Sequence, residues 1–245
     1  MLLLKMFTRK WILATLFVLA GTALCVRLGI WQLDRLDQRR AFNAQFLSAR
    51  SMPLLDLNTA TTDDLTKLEW RAVQVTGEYD FENQVALRNQ YYGDHYGYHL
   101  LTPLLFDGKA VLVDRGFIPA DGNSAPTDWR KYDQPGTVTV KGQIRLAQTK
   151  PAFGGVADAL PANGEKLQLW NNADIAHIAN QMPYPILPVM VQPDMDASDT
   201  EPPIPFQPEV EISEGPHMGY ALQWFTFATI LFVGYPFFLR KQESK

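Results

Sequence analysis

The sequence predicts a membrane protein in which two transmembrane helices flank a β-rich extracytoplasmic domain. An uncharged apolar segment lies near each end of the 245-residue chain. Between these segments, short runs of β-branched or alternating apolar residues are separated by turn signals such as Asp107-Gly108 and Pro135-Gly136. Basic residues lie just outside the two apolar segments, and their distribution predicts the orientation of the chain in the membrane.

The first apolar segment predicts a transmembrane helix over residues 11–33. Residues 11–26 carry no charge, and the apolar run then continues to Leu33 with Arg27 as its single interruption. About 20 apolar residues are enough to cross a bilayer, and a guanidinium near the end of a span reaches the headgroups. A cleaved signal peptide is the alternative, but the run is long and no small-x-small cleavage site follows it. Residues 33–50 alternate charged and apolar side chains, so the helix is expected to continue beyond the membrane.

The second apolar segment predicts a transmembrane helix over residues 219–239. It is followed by a short basic tail, residues 240–245, and no Lys or Arg occurs between Lys166 and Arg240. The positive-inside rule therefore places the tail in the cytoplasm, and two spans place residues 1–10 on the same side. Arg35, Arg39 and Arg40 argue the other way. They precede a loop of about 185 residues, however, and long loops are translocated largely regardless of charge.

Residues 34–218 are predicted to form the extracytoplasmic domain. Nine of the 17 prolines lie between Pro183 and Pro216, so residues 183–216 are expected to be extended chain that returns to the membrane, with no helix or central strand. A short helix is expected near residues 174–182. The predicted strands are WRAVQVTGEYD (70–80), QVALRNQYY (84–92), YHLLTPLLF (98–106), KAVLVDRGFIP (109–119) and TVTVKGQIR (137–145).

The local motifs of this domain do not predict an enzyme. His95 and His99 are four residues apart, as a metal site on a helix would require, but Gly97 and the strand pattern favour a hairpin and no third ligand is apparent. Residues 194–205 resemble a calcium loop but lack its glycine and its bidentate Glu. No nucleophile elbow is present. The net charge of −4 argues against non-specific nucleic-acid binding.

The beginning of the second span carries polar and aromatic side chains that anchoring does not require. On a helix they share one face, and with both termini cytoplasmic this face lies at the same leaflet as a second polar group at the end of the first span. Imidazole is a common axial ligand of haem iron, and guanidinium suits a carboxylate such as a haem propionate. An interfacial aromatic belt is the alternative. The first group is His217, Tyr220, Ala221 and Trp224; the second is Arg27, Trp31, Gln32 and Arg35.

Several fragments, in order, resemble the surfeit locus protein 1 family of cytochrome c oxidase assembly factors. They are GIWQLDRLDQR, VTGEYD, YHLLTPL, VLVDRGFIP, VKGQIR and HMGYALQWF, and they extend from about residue 27 to residue 239. The resemblance implies a barrel-like domain that faces the periplasm or the intermembrane space. It also implies, for bacterial members, binding of haem a and its delivery to subunit I of the oxidase.

The resemblance carries the family's positions onto specific residues of this chain. They are Gly29, Trp31, Gln32 and Arg35; Gly77; Thr102 and Pro103; Arg115, Gly116 and Pro119; and His217, Tyr220 and Trp224. The chain departs from the family at Asp114 and Phe117, where NRGW-like residues are common, and at Gly215-Pro216. The Arg115-Gly116 turn is interpreted as structural, with Gly116 at positive φ and Arg115 paired with a buried acceptor.

These observations predict an assembly factor without catalytic turnover, located in the bacterial inner membrane with its main domain in the periplasm. The predicted haem a site comprises His217, Tyr220, Trp224, Trp31, Gln32 and Arg35, with His217 as the ligand of the haem iron. The predicted partners are cytochrome c oxidase subunit I, other assembly factors, the lipid bilayer and a possible second copy of the chain. The alternatives are a membrane-anchored periplasmic enzyme of the hydrolase type and a protein scaffold that binds no haem.

Overall fold

The computed structural model describes residues 6–60, 64–149, 155–159, 161, 165–196, 198–205 and 210–243. The chain divides into two compact units. The helical unit comprises Met1–Gln45 and Val210–Lys245, and the β unit comprises Phe46–Glu209. The helices are α1 (Ile12–Ser51), α2 (Ile175–Ala179) and α3 (His217–Glu243); the strands are β1 (Leu55–Asp56), β2 (Ala72–Tyr79), β3 (Val85–Tyr92), β4 (His95–Phe106), β5 (Lys109–Pro119), β6 (Thr137–Leu146), β7 (Leu169–Trp170) and β8 (Ile186–Pro193).

The helical unit is an antiparallel pair formed by α1 and α3. Each helix is long and apolar enough to cross a membrane, with mean hydropathies of 2.0 and 1.5 in their most apolar windows. The predicted continuation of the first helix beyond the apolar run is confirmed, because α1 ends at Ser51. The helix of the second predicted span, α3, begins at His217, two residues before the predicted start of that span.

Small and polar residues on α1 let the two helices pack closely. The buried and half-buried residues of α1 recur at alternating intervals of three and four, which is the spacing of a helix-packing seam. A Cβ added at Gly29 would lie 2.6 Å from the Phe225 ring, so only glycine leaves room for that ring. The Thr15 hydroxyl lies 2.8 Å from the Tyr235 hydroxyl, which satisfies both polar groups inside an apolar contact.

The β unit is built on a closed ring of five strands. β2, β6, β8, β5 and β4 are neighbours in that order, and an additional antiparallel pairing between β2 and β4 closes the ring. At this closing pair the strands approach so closely that a Cβ on Gly77 would lie 2.2 Å from the Leu105 carbonyl oxygen. The remaining strands extend the sheet: β1 pairs with β2, β3 with β4, and β7 with β3. The domain is therefore a small β-barrel with short additions.

The side chains of the barrel strands alternate between an inner apolar core and apolar clusters outside the barrel. On β5, Val111 and Val113 belong to the inner core, whereas Leu112 belongs to an outer core that also contains Ile175 and Ile178 of α2. This alternation follows from the period of two in a strand. Because one helix and its flanking segments cover the outer face, both faces of β5 are buried and its sequence is apolar almost throughout.

Five predicted strands are confirmed as β2 to β6, and the predicted short helix is α2. The prediction that residues 183–216 contain no central strand is wrong, because β8 lies between β5 and β6 in the barrel. Pro188 lies inside a register shift between β8 and β5, and Pro193 is the last residue of the strand. These are positions where a missing N–H leaves the ladder intact. The residues between the two prolines, 189–192, pair regularly.

A β-bulge in β5 shapes the centre of the domain. Leu100 pairs with Gly116 and Leu101 with Asp114, so Arg115 is an extra residue on β5. Gly116 has a φ of 112°, and a Cβ on it would lie 2.0 Å from the Ile204 carbonyl oxygen. The backbone of the next residue, Phe117, exchanges two hydrogen bonds with Ile204, at 2.7 and 2.9 Å. The predicted positive φ at Gly116 is confirmed.

We expect Gly116→Ala to destabilise the β unit more than Gly136→Ala does. Both glycines have a φ near 100°, but nothing lies within 4 Å of a Cβ at Gly136. Gly136→Ala therefore measures backbone strain alone, about 1–3 kcal/mol. Gly116→Ala adds the collision with Ile204 and should cost roughly 2 kcal/mol more. Urea unfolding of the full chain in detergent, followed by circular dichroism, measures the difference. Equal losses would contradict the assigned contact with Ile204.

Candidate functional site

The polar centre of the helical unit is a hydrogen bond between α3 and α1. His217 is the first residue of α3, and its Nδ1 lies 2.8 Å from Oε1 of Gln32. An amide oxygen only accepts hydrogen bonds, so Nδ1 carries the proton and donates it. The neutral imidazole then keeps the lone pair of Nε2 free. The contact thus selects the tautomer that leaves Nε2 as a ligand atom.

The segment before α3 leaves space at the imidazole. Gly215 has a φ of 66°, and a Cβ added to it would lie 3.5 Å from Nε2 of His217. This distance is an ordinary van der Waals contact, so the positive φ, and not a collision with Nε2, is what favours glycine here. Gln32 is buried and His217 is half-buried, so the amide is held in place while the imidazole edge is accessible.

Three other predicted site residues, Trp31, Arg35 and Tyr220, lie on one side of the helix pair near this contact. Each residue advances about 100° around a helix, so Trp31 and Arg35 both lie to one side of Gln32. Tyr220 is displaced in the same sense from His217, and because the helices are antiparallel the two displacements point to the same side. Trp31 and Tyr220 are 42% and 48% exposed, which leaves much of both rings uncovered. The half-buried Trp224 lies two turns along α3 from His217.

Arg35 is held next to Trp31. Its guanidinium carbon lies 5.6 Å from the centre of the Trp31 ring, and its Nη1 donates a 2.9 Å hydrogen bond to Oε1 of Gln38. No carboxylate of the described residues forms an ion pair with Arg35. Its charge is therefore oriented by an aromatic face and an amide, and it is not neutralised by a side chain.

Two further contacts secure the polypeptide that leads into α3, and the sequence did not reveal them. Arg40 makes a two-pronged ion pair with Glu214, with N–O distances of 2.7 and 3.0 Å. Asn43 donates a 3.2 Å hydrogen bond from its amide to the Ser213 carbonyl. These contacts hold residues 213 and 214 against α1 immediately before Gly215, and they thereby fix the start of α3.

In the β unit, Arg115 and Gly116 lie at the β-bulge of β5 and not in the predicted turn, and Arg115 makes structural contacts. The Arg115 guanidinium carbon lies 5.1 and 5.2 Å from the centres of the Tyr79 and Phe81 rings. Its nitrogens donate to Oε1 of Gln84 and to the Tyr132 carbonyl. Burial lowers the pKa of Arg115 and raises that of Tyr79 to about 12. The predicted buried acceptor is confirmed.

A second buried polar pair in the β unit, His99 with Asp114, was missed from the sequence. Nδ1 of His99 lies 3.0 and 3.1 Å from the two carboxylate oxygens of Asp114, and Oδ1 also accepts the Gly116 N–H. Burial alone would lower the pKa of His99. The charge of Asp114 and its hydrogen bond outweigh burial and raise that pKa above its usual value. The sequence contained one signal of this pair, which is Asp114 inside the apolar run KAVLVDRGFIP. A carboxylate buried in such a strand needs a partner.

The described residues contain no group of three or more His, Cys, Asp and Glu side chains that could bind a metal ion. His95 and His99 lie on β4, not on a helix, and only His99 is buried. The hairpin expected at this position is present, since Gly93 and Asp94 connect β3 to β4.

Comparison with known proteins identifies the family. The profile of the SURF1 family matches residues 19–229, which is most of the chain. An uncharacterised SURF1-like protein of Mycobacterium tuberculosis is 26% identical over 235 residues, covering 93% of this chain and 83% of the relative. A SURF1-like protein of Rickettsia bellii is also 26% identical over 235 residues, with coverages of 94% and 92%. Surfeit locus protein 1 of Takifugu rubripes is 24% identical over 229 residues, with coverages of 85% and 90%.

The matched region includes most of α1, the first half of α3 and the whole barrel, so the similarity covers parts of both helices and all of the barrel strands. It includes Gln32 and His217 as well as the bulge at Arg115 and Gly116. The resemblance inferred from the order of the sequence fragments is confirmed, and the chain belongs to the SURF1 family.

Proposed function

We propose that this protein is a membrane-bound assembly factor for cytochrome c oxidase that holds haem a and passes it to subunit I, without catalytic turnover of its own. Membership of the SURF1 family supports the assembly role. The observation that carries the haem proposal is the 2.8 Å contact between His217 and Gln32, because it presents an imidazole with a free Nε2.

The residues around His217 fit a haem group. A haem needs a nitrogen ligand for iron, apolar or aromatic surface for the macrocycle and a cation for the propionates. Here Nε2 of His217 has no hydrogen-bond partner among the described residues, the Trp31 and Tyr220 rings are uncovered, and Arg35 carries an unpaired charge. Haem bound here would supply an iron, and the imidazole of His217 would hold it. The chain's own residues orient the imidazole and offer a charge to the carboxylates.

The openness of the site suits a carrier. A resident cofactor is usually enclosed by its protein, since pockets bury most of the ligand surface. At this site the imidazole is half-buried and the flanking rings are about half exposed. A ligand held there by one imidazole and one face of a helix pair keeps its opposite face available to an acceptor protein.

We further propose that α1 and α3 both cross the bacterial inner membrane, with both termini in the cytoplasm and the β unit in the periplasm. The length and hydropathy of the two helices support this proposal. Their antiparallel packing agrees with two consecutive spans. Membrane insertion would then place Trp31, Arg35 and Tyr220 near the periplasmic surface, where aromatic and basic side chains are stable.

The orientation predicts the behaviour of a reporter enzyme that is active only in the periplasm. Fused after the cytoplasmic tail at Lys245, the reporter should be inactive, because the basic residues Arg240 and Lys241 keep the tail inside. Inserted in the exposed β3–β4 turn at Gly93, the same reporter should be active. An active C-terminal fusion with an inactive insertion would reverse the proposed orientation.

The ligand assignment predicts that His217→Ala inserts and folds normally but loses most of the haem that co-purifies from a host that makes haem a. Gln32→Leu should weaken haem binding by roughly 10-fold, because the residue that hydrogen-bonds to a ligating imidazole orients it. Gln32→Glu keeps an acceptor for Nδ1 and should therefore retain more haem than Gln32→Leu. The Soret absorbance per protein measures the pigment. His95→Ala is the matched control, since His95 is exposed on a strand of the β unit.

An unchanged haem spectrum in His217→Ala would show that the ligand of the iron is another residue or belongs to a partner protein. A wild-type chain that is colourless but still co-purifies with oxidase subunits would refute the haem proposal and leave a protein scaffold.

The charge assignment predicts that Arg35→Ala lowers the haem content, while Arg35→Lys retains part of it. Lysine keeps the charge but loses the planar contact with the Trp31 ring and the paired donors for a carboxylate. Arg50→Ala removes an exposed arginine from the far end of the same helix and should leave the haem content unchanged. Proteolysis checks that every variant is folded. If Arg35→Ala and Arg50→Ala contained equal amounts of haem, Arg35 would not bind the propionates and would contact only the lipid headgroups.

A further inference from the structure

The β unit contains a second polar site that the proposed haem function does not use. A cavity of about 480 Å³ lies against the outer face of the barrel strands. Its polar lining includes His99, Asp114, Arg145 and Gln192, and its apolar lining includes Leu87 and Met190. Gln148, which also lines the cavity, is exposed, so the cavity reaches the surface.

The alternation of the strands brings these side chains together. Val113, Ile144 and Val191 belong to the inner core, so the residue following each of them, Asp114, Arg145 and Gln192, points to the outer face. The three strands concerned, β5, β6 and β8, are neighbours in the barrel. The bulge at Arg115 is adjacent to Asp114 and leaves that carboxylate opposite His99 of β4.

Arg145 is fixed in position but its donors are largely unused. Its guanidinium carbon lies 3.5 Å from the centre of the Trp70 ring, so the guanidinium stacks on that ring. Its nearest carboxylate, Glu69, is 3.7 Å away, an ion-pair distance that is too long for a hydrogen bond. Its Nε is buried and has no hydrogen-bond partner among the described residues. A buried donor without an acceptor is costly, so a ligand that supplies an acceptor would be stabilised here.

Several hydrogen-bond donors at the cavity are unused. The carboxylate of Asp114 already accepts from His99 and from the Gly116 N–H, and Oε1 of Gln192 accepts from Gln143 at 3.2 Å. The amide nitrogen of Gln192 and the Arg145 guanidinium make no hydrogen bond to a described residue. Nε2 of His99 makes none either, and it carries a proton to donate when the imidazole is charged. The complementary ligand therefore presents acceptors at one end and an apolar body towards Leu87 and Met190.

We propose that this cavity binds a small organic carboxylate, with Arg145 pairing with the carboxylate group and His99 donating to it from Nε2. The apolar lining favours a monoanion with a hydrocarbon body over inorganic phosphate, whose second charge would be placed near Asp114. The site lies in the β unit and its residues are separate from the helix contact at His217, so it stands independently of haem binding.

The charges around the cavity give the binding a defined pH dependence. His99 faces Asp114 from β4, and Arg145 faces the cavity from β6 with Glu69 beside it. With His99 protonated, the two cations balance the two carboxylates, and a monoanion is accepted. With His99 neutral, the cluster has a net negative charge and repels an anion. Because the His99 pKa is raised, binding should persist above the usual pKa of histidine and be lost as pH rises through the folded-state value.

The test is a titration of the full chain in detergent with butyrate, followed by NMR of the histidine Cε1–H signals. The chain has four histidines, so the His99 signal can be assigned with a His99→Gln variant. We expect a saturable shift of the His99 signal with butyrate, none with the neutral butyramide, and a weaker response to inorganic phosphate. Raising the pH should weaken butyrate binding.

Two variants complete the test. Arg145→Gln should weaken butyrate binding by about 10-fold or more, because a charged hydrogen bond is lost. Glu69→Gln is the matched control: it removes the competing carboxylate and should leave binding equal or tighter. The comparison of butyrate with butyramide on the wild-type chain needs no variant and decides the proposal if Arg145→Gln fails to fold. Absence of a butyrate response, an equal response to butyramide, or tighter binding of phosphate would each overturn the proposal.

Discussion

The hydrogen bond between His217 and Gln32 connects the first turn of α3 to the middle of α1, and the proposed function depends on it. A single polar contact between apolar helices contributes only about 0.6 kcal/mol on average, so it adds little stability. Its effect is on specificity, because a polar pair within an apolar helix contact fixes the register of the two helices. The neighbouring contacts agree with this register: Gly29 accepts the Phe225 ring, and Arg40 and Asn43 hold the residues before α3. One amide therefore sets the position, the tautomer and the accessible edge of the imidazole.

A comparable constraint acts in the β unit, where one extra residue in β5 determines the polar interior. The bulge buries Arg115 against two aromatic rings and leaves Asp114 opposite His99. Gly116 is required because its φ is positive and the Ile204 carbonyl occupies the space of a Cβ. At this bulge two consecutive charged residues, Asp114 and Arg115, are both buried and have different polar partners. The bulge is thus the common origin of the structural arginine and of the cavity that contains His99.

Local patterns in the sequence predicted much of this fold, and long-range relationships account for what was missed. The five strands β2 to β6 follow from alternation and turn signals, which are contained in short windows. The closing contact at Gly77 and the pairing of β8 with β5 depend on residues far apart in the chain. The prolines in and around β8 also made its sequence unlike that of a central strand. At the candidate haem site, helical spacing grouped His217 with Tyr220 and Trp224. The hydrogen bond to Gln32 depends on the rotation of both helices, which spacing alone does not specify. His99 and Asp114 meet only through the register of two strands, so their pairing was not foreseen.

The tautomer of His217 tests the central claim most directly, because it follows from the geometry before any haem is bound. In haem-free full-length protein labelled with ¹⁵N on histidine, at a pH where the imidazole is neutral, the ring nitrogens report their protonation through their chemical shifts. The account predicts a protonated Nδ1 and an unprotonated Nε2 for His217, with this preference lost in Gln32→Leu. A protonated Nε2 in the wild-type chain, or a tautomer that does not respond to Gln32→Leu, would contradict it.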